Sequence, residues 1–166
     1  MKRDFIKPLI IMTPKSLLRA EFASSRAEDF TKGRFEEILG APEVGVANKM
    51  KRVVLCCGKI YYDLLNYRTD RRITDAAIIR VEQLYPLHEK KLKSMVGAFP
   101  NTAKIVWCQE EPQNMGAWTF IEPKLREIFD RRIAYAGRDA GASPAVGSLA
   151  LHKREQAGVV KDAFAV

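Results

Sequence analysis

The chain has 166 residues, of which 47% are hydrophobic and 29% are charged, and its formal charge is +8. This composition is typical of one globular domain and excludes a chain that is disordered throughout. At this length, folding buries roughly 70% of the surface of the extended chain, so a core can form without metal or disulfide support. No apolar run reaches the roughly 18 residues of a transmembrane helix, and the amino terminus has no signal-peptide pattern. We therefore expect a cytoplasmic protein without a leader.

The amino-terminal stretch differs in its sequence pattern from the rest of the chain. Residues 9–12 are apolar and predict a short strand or an extended segment. After them, Thr13 and Pro14 predict a helix over residues 13–18, with Thr13 as its cap and Pro14 at its first helical position. An apolar segment and a helix cap so close to the first residue indicate a piece of a longer protein.

The next predicted elements are short. Residues 22–32 are polar and weakly helical, residues 34–39 predict an edge strand, and residues 40–48 form a turn-rich connection. We interpret residues 1–49 as a lead-in segment to a larger unit.

From residue 50 onwards, apolar runs of strand length alternate with segments of helical period. Strands are predicted at residues 53–57, 76–81, 105–108 and 133–136, with helices at 59–67, around 92–99, at 116–129 and at the carboxyl terminus. We expect Pro123 to be tolerated only in the first turn of its helix. The alternation predicts a doubly wound α/β domain over residues 50–166, in which helices cover a parallel sheet.

The cysteines are Cys56, Cys57 and Cys108, and each lies in an apolar run. An odd number with two adjacent members does not match a disulfide framework, and His88 and His152 form no zinc-ligand spacing with them. We predict three buried, reduced thiols, because free cysteine usually behaves as a small apolar side chain. The two histidines are predicted to be solvated or to cap helices.

Polar residues follow the predicted strands, and in an open parallel sheet ligands bind beyond the carboxyl ends of the strands. These residues are Gly58 and Lys59, Glu82 and Gln83, Gln109 to Glu111, and Gly137 and Arg138. Lys59 and Arg138 would place two cations near helix amino termini, where a phosphate binds well. Alternatively, Glu82, Glu110 and Glu111 neutralise both cations in a structural network. The residues alone leave both alternatives open.

Known catalytic motifs are missing from the sequence. Residues 57–59 lack the glycine spacing and the Ser or Thr of a P-loop, and residues 137–141 do not match a dinucleotide fingerprint. There is no nucleophile elbow. The charge of +8 also permits a stand-alone nucleotide- or nucleic-acid-binding module, although the basic residues are interleaved with acidic ones.

Several long blocks occur in order between about residue 7 and the end of the chain. They are LIIMTPKSLLR at 9–19, CGKIYYDL at 57–64, RVEQLYP at 80–86, WCQEEP at 107–112, Asn114, GAW at 116–118, YAGR at 135–138 and ASPAVG at 142–147. Together they closely resemble the carboxyl-terminal domain of the thiamine diphosphate-dependent first component of 2-oxoglutarate dehydrogenase, a member of the transketolase-like superfamily. Cys57 stands where that family usually has Ser, and Met115 stands where Gln is common.

The resemblance implies a three-layer α/β/α fold like the transketolase carboxyl-terminal domain. Its five-stranded, mostly parallel sheet would have an antiparallel first strand, for which residues 34–39 are the candidate. The resemblance further implies an enzyme of the tricarboxylic acid cycle that oxidatively decarboxylates 2-oxoglutarate and passes a succinyl group to a lipoyl arm. Thiamine diphosphate and Mg²⁺ would be held by two upstream domains, so this chain alone is expected to hold no cofactor and to be inactive.

The resemblance also implies partners and an effector. The partners would be the upstream domains of the same enzyme, a second copy in a homodimer and the dihydrolipoyl succinyltransferase component, in the bacterial cytoplasm. Neither a membrane nor nucleic acid is expected among them. An acyl-CoA or adenine nucleotide effector would bind at the cationic edge, and the candidate residues are Thr13, Arg19, Lys59, Gln109 and Arg138.

Overall fold

The computed structural model describes residues 4, 6–40 and 45–165. The chain divides into two units, residues 1–34 and residues 35–166. The sequence places the boundary at residues 49 and 50 instead. The two boundaries differ because the short strand at residues 38–40 pairs with the sheet and therefore belongs to the second unit.

The first unit contains only short helices among its described residues. They are two 3-10 helices, Lys15–Leu17 and Glu21–Ala23, and the α-helix α1, Ala27–Thr31. Residues 9–12 belong to no helix or strand. The predicted cap at Thr13 is wrong, since the helix begins directly after Pro14 and has no side-chain cap. Pro14 is therefore the residue before the helix and not its first helical residue. Its carbonyl accepts the first hydrogen bond of the helix, from the Leu17 N–H.

The second unit is a five-stranded sheet with helices on both faces. The strands are β1 Ile38–Gly40, β2 Arg52–Cys56, β3 Ala76–Val81, β4 Lys104–Pro112 and β5 Ala134–Arg138. The helices are a 3-10 turn at Ala47–Lys49, α2 Ile60–Asp70, α3 Glu89–Gly97, α4 Trp118–Phe129 and α5 Leu149–Ala163. The order across the sheet is β1-β3-β2-β4-β5, with β1 antiparallel and the other pairings parallel. This arrangement confirms the predicted α/β fold with one antiparallel edge strand, but the strand is Ile38–Gly40 and shares only residues 38 and 39 with the candidate at 34–39.

Alternation along the strands divides the core into two layers. Val53 and Leu55 of β2 point to one face, where they join a cluster that includes Leu92 of α3 and Leu125 of α4. Val54 points to the other face, into a second cluster. The helical members of that second cluster are Ile60, Tyr61 and Leu64 of α2 and Val159, Val160 and Ala163 of α5. Because both faces of the sheet are covered, its strands read as continuous apolar runs.

Two predicted details are corrected by the structure. Strand β4 continues to Pro112, past the apolar run at 105–108, with an irregular register against β5. Pro123 lies inside α4 in its second turn, so the expectation of a first-turn proline is wrong. Pro123 is exposed, and its ring removes only the bond that an N–H would make to the Thr119 carbonyl. None of the helices in the described ranges has the length and apolar character required to cross a membrane.

Candidate functional site

Lys59 follows β2 at the carboxyl edge of the sheet and is held by two carboxylates. Its Nζ lies 2.6 Å from Glu110 Oε1 of β4 and 3.7 Å from Asp63 Oδ2 of α2. Gly58 allows this approach, since its φ of +72° turns the chain from the strand into the helix. Burial by itself would lower the pKa of Lys59, but the hydrogen bond and charge of Glu110, helped by Asp63, raise this pKa above its ordinary value. The ammonium group is therefore charged and paired.

Arg138 ends β5 at the same edge and contacts α5. Its Nε donates to Glu155 Oε2 at 2.8 Å, and its Nη2 donates to Gln156 Oε1 at 3.2 Å. The same Nη2 lies 3.4 Å from His152 Nδ1, while Nη1 donates to the backbone carbonyl of Glu110. The guanidinium thus joins β5 to both α5 and β4.

Gln156 connects the two cationic groups. Its Nε2 donates to Asp63 Oδ2 at 2.8 Å and to Glu110 Oε1 at 2.9 Å. We call this cluster the rim network; its members are Lys59, Asp63, Glu110, Arg138, Glu155 and Gln156. Its charges are two cations and three carboxylates, so the structure favours the structural-network alternative for both cations.

The carboxylates that neutralise these cations differ from those expected. Of the three predicted, only the carboxylate of Glu110 belongs to the rim network, and Glu82 pairs instead with Arg80 at 3.1 Å. Arg80 also lies over the Tyr61 ring, 4.4 Å from its centroid. Sequence reasoning missed Glu155 and Gln156, because they lie on a helix rather than directly after a strand. The sequence feature that could have identified them is that they are two adjacent polar residues of α5, close to the apolar Val159 and Val160.

Gln109 is buried, and its amide is used inside the fold. Its Oε1 accepts from Trp107 Nε1 at 3.1 Å and from the Trp118 backbone N–H at 2.9 Å. Its Nε2 donates to three backbone carbonyls at 2.8 to 3.2 Å, those of Glu111, Pro112 and Met115. These bonds fix the end of β4 and the turn that follows. The side chain is thus a scaffold for the edge of the sheet.

Thr13 and Arg19 are both exposed and belong to the unit of residues 1–34. Lys59, Gln109 and Arg138 belong to the unit of residues 35–166, and the structure brings these three to the same edge of the sheet. The joint action of all five residues on an effector stays a prediction.

A surface cavity of about 430 Å³ lies beside the rim network. Arg138 and Glu155 line it, together with the loop at residues 139–146 and the α5 residues Gly158 and Asp162. The loop is tied to the sheet edge, since Asn114 exchanges two hydrogen bonds of 3.0 Å with the backbone of Gly141. The cavity is therefore a defined hollow next to an arginine whose hydrogen bonds are already satisfied by the protein.

The three thiols are free and differ in exposure. Cys56 and Cys108 are buried, whereas Cys57 is only partly buried, so the prediction of three buried thiols is wrong for Cys57. Cys57 follows the last residue of β2 and packs, partly buried, against the cluster that contains Leu92 and Leu125. Burial raises the pKa of Cys57 to about 11 and that of Cys108 to about 12, with nearby acidic residues adding to both shifts.

The histidines have structural contacts. His88 caps α3, and its Nδ1 accepts from the Lys91 backbone N–H at 3.3 Å, which confirms the predicted capping role. His152 instead contacts Arg138. Within the described residues, no three His, Cys, Asp or Glu side chains come together in a way that could hold a metal ion.

The chain is similar to known proteins along nearly its whole length. The family described as "2-oxoglutarate dehydrogenase C-terminal" matches residues 24–164. The 2-oxoglutarate dehydrogenase E1 component of Cupriavidus necator is 48% identical over 167 residues, which cover 99% of this chain and 18% of that protein. The same component of Azotobacter vinelandii is 43% identical over 171 residues, with the same two coverages of 99% and 18%.

Among solved structures, one described as "Split gene transketolase, inactive beta4 tetramer" aligns at a TM-score of 0.47 and 16% identity. The alignment covers 80% of this chain and 43% of that one. The curated relatives are much longer than this chain, which spans 18% of their length.

Proposed function

Because the chain belongs to the 2-oxoglutarate dehydrogenase C-terminal family, we propose that it is the carboxyl-terminal structural and regulatory domain of an E1 component. The observation that carries this proposal is 48% identity to such a component over 99% of the chain. In the proposal, the parent enzyme oxidatively decarboxylates 2-oxoglutarate and delivers a succinyl group to the lipoyl arm of its dihydrolipoyl succinyltransferase partner. The parent would act as a homodimer in the bacterial cytoplasm.

The cofactor chemistry is assigned to the upstream part of the parent enzyme. Thiamine diphosphate, when bound with Mg²⁺, supplies the electron sink for the decarboxylation. The described residues do not match this group: they offer no metal-binding cluster, and the two cations at the sheet edge are already paired with carboxylates. We therefore derive no catalytic step within this chain.

The contacts at the sheet edge support a structural role. The rim network joins α2, β4, β5 and α5, and Gln109 holds the end of β4 and the turn that follows it by five hydrogen bonds. Such a network orients one element against another because each bond has a fixed direction. The domain can thereby present a rigid surface to the rest of the enzyme.

The regulatory part of the proposal is an acyl-CoA or adenine nucleotide bound beside Arg138. The cavity of about 430 Å³ next to Arg138 supports it by providing space for part of such a ligand. An incoming phosphate would have to exchange with Glu155 for the guanidinium, because the two side chains are 2.8 Å apart. The alternative of a stand-alone nucleotide- or nucleic-acid-binding module has no support in the similar proteins.

A chimeric enzyme tests the proposal. The stretch of the Cupriavidus necator E1 component that matches this chain is replaced by this chain, and decarboxylation of 2-oxoglutarate is assayed with thiamine diphosphate and Mg²⁺. We expect the chimera to be active, and we expect neither this chain alone nor the relative truncated at the same point to turn over substrate. An inactive chimera of native secondary structure, or turnover by this chain alone, would contradict the proposal.

A further inference from the structure

Exposed apolar side chains are concentrated in the first unit of the chain. They are Ile6, Leu9, Ile10, Ile11, Met12, Leu18, Phe22 and Phe30. None of the residues described between 4 and 34 is buried. Four of them, residues 9–12, are consecutive in the chain, and exposed apolar side chains that adjoin one another mark an interaction site in soluble proteins.

The densest part of this surface is the segment of residues 8–14, which we call the apolar segment. Its four central side chains, residues 9–12, are between 71% and 92% exposed, and the segment contains no charged residue. It begins and ends with Pro8 and Pro14, which have no N–H to donate to a neighbouring strand. It belongs to no helix or strand.

The order of the side chains indicates the kind of surface that covers them. In a non-helical, extended chain, successive side chains point to opposite sides. Four consecutive apolar residues therefore present apolar groups on both sides, and one flat face could cover only half of them. A groove that encloses the segment covers them all.

We infer that the apolar segment docks into an apolar groove on the upstream part of the E1 polypeptide. The inference rests on the proposed function, because it takes the missing partner from the longer relatives. The matched family is described as C-terminal and its match begins at residue 24, so the apolar segment lies before it, within a chain that spans 18% of those relatives. In such an enzyme, the segment is covalently continuous with its partner, which makes the docking intramolecular and raises the effective concentration of the groove.

Methionine oxidation measures whether the segment is covered. Met12 is 92% exposed and Met50 is 3% exposed, so one chain contains both an exposed probe and a buried reference. In this chain alone, hydrogen peroxide should oxidise Met12 rapidly and Met50 slowly. In the chimera with the Cupriavidus necator upstream part, we expect Met12 to lose its fast oxidation and to react at the rate of Met50.

A pair of matched variants tests the same contact by a different measurement. Ile10 and Leu149 are 82% and 68% exposed, and Leu149 lies in the other unit at the start of α5. In the chimera, Ile10→Asp should lower the thermal unfolding midpoint and restore fast oxidation of Met12, whereas Leu149→Asp should do neither. In this chain alone, both variants should leave the midpoint unchanged, because both side chains are already in water.

The outcomes separate the docking from the proposed function. Oxidation of Met12 in the chimera at the rate seen in the isolated chain would overturn the docking, even if the chimera is active. Protection of Met12 in the isolated chain that grows with protein concentration would also overturn it, since a second copy would then cover the segment. An inactive chimera counts against the proposed function, whatever the oxidation rate of Met12.

Discussion

Gln109 satisfies five polar groups at the end of β4 with one buried amide. In a Gln109→Leu variant the Glu111 and Pro112 carbonyls keep the Tyr135 hydroxyl and the Met115 N–H as donors. The Trp107 Nε1, the Met115 carbonyl and the Trp118 N–H lose the Gln109 amide, and each group that stays buried and unpaired costs about 1 to 3 kcal/mol. Some of them will regain water, so we expect the free energy of unfolding to fall by roughly 2 to 4 kcal/mol. Urea denaturation followed by circular dichroism measures the change.

The matched control for this prediction is Gln113→Leu, which makes the same chemical change at an exposed position in the turn after β4. A surface substitution of this kind usually changes stability by less than about 0.5 kcal/mol. Equal effects of the two variants would show that the buried hydrogen bonds of Gln109 contribute nothing specific.

The thiol of Cys57 should make stability depend on pH in the alkaline range. Folding raises its pKa from the ordinary 9.0 to about 11, so the folded state prefers the protonated thiol. The resulting stabilisation is complete below pH 9.0 and is lost as the pH rises through about 11. We expect the urea midpoint to fall across this window, and to fall less in Cys57→Ser, whose hydroxyl does not titrate there. Parallel declines in both proteins would refute this origin.

Arg138 is the residue on which the effector prediction depends most. A charge-assisted contact to a phosphate contributes roughly 1.5 to 3 kcal/mol, so Arg138→Ala should weaken acetyl-CoA or AMP binding about ten- to a hundredfold. Affinity is measured by calorimetry in the chimeric enzyme. Arg154→Ala is the control, because Arg154 is an exposed arginine on the same α5 helix. If neither variant changes affinity by more than about twofold, Arg138 serves the rim network alone.

At the level of the elements, α4 retains a proline in its second turn. Pro123 is exposed and costs the helix one hydrogen bond, and a proline inside a helix is about 3 kcal/mol less favourable than alanine. The gain in stability from replacing proline by alanine is smaller than this difference, because alanine leaves the unfolded chain more flexible and so favours the unfolded state. We expect Pro123→Ala to raise the free energy of unfolding by about 1 to 2 kcal/mol. Glu127→Ala, at an exposed position of the same helix, should leave it nearly unchanged, and an equal gain there would contradict the explanation.

The strands were predictable where burial alone determines them. The run at residues 76–81 coincides with β3, since this strand is covered on both faces and its apolar side chains are consecutive. The polar end of β4 was not predictable, because residues 109–112 are held by backbone pairing and by the amide of Gln109 rather than by an apolar pattern. The helix cap at Thr13 failed because a three-residue 3-10 helix begins one residue later than the capping pattern requires.

The candidate site was predictable to the same extent as the sheet. Parallel strands bring their carboxyl ends to one edge, so the sequence already places Lys59 near Glu110. The partners of Arg138 could not be predicted from the sequence, because Glu155 and Gln156 contact Arg138 only through the rotation of α5 about its axis. That rotation is fixed by the burial of Val159, Val160 and Ala163, which depends on the packing of the whole sheet.

At the scale of the whole molecule, the two units contribute unequally to the core. Every buried side chain in the described residues belongs to residues 35–166, and their two clusters lie on opposite faces of one sheet. The stability of the chain should therefore reside in the second unit. In the parent enzyme, residues 6–34 would act as a connecting segment rather than as part of the carboxyl-terminal core.

Deletion of residues 1–34 should consequently leave a folded protein. In a domain of this size, a loss of 1 kcal/mol lowers the thermal midpoint by roughly 2 to 4 °C, and we expect the truncated chain to melt within that interval of the full chain. Deletion of residues 149–166 is the matched control, since it removes a segment of smaller size that carries Val159, Val160 and Ala163. This second truncation exposes the part of one sheet face that α5 covers and removes buried members of that core cluster, so it should abolish cooperative melting. Loss of cooperative melting after removal of residues 1–34 would place part of the folding energy in the first unit, contrary to the burial pattern.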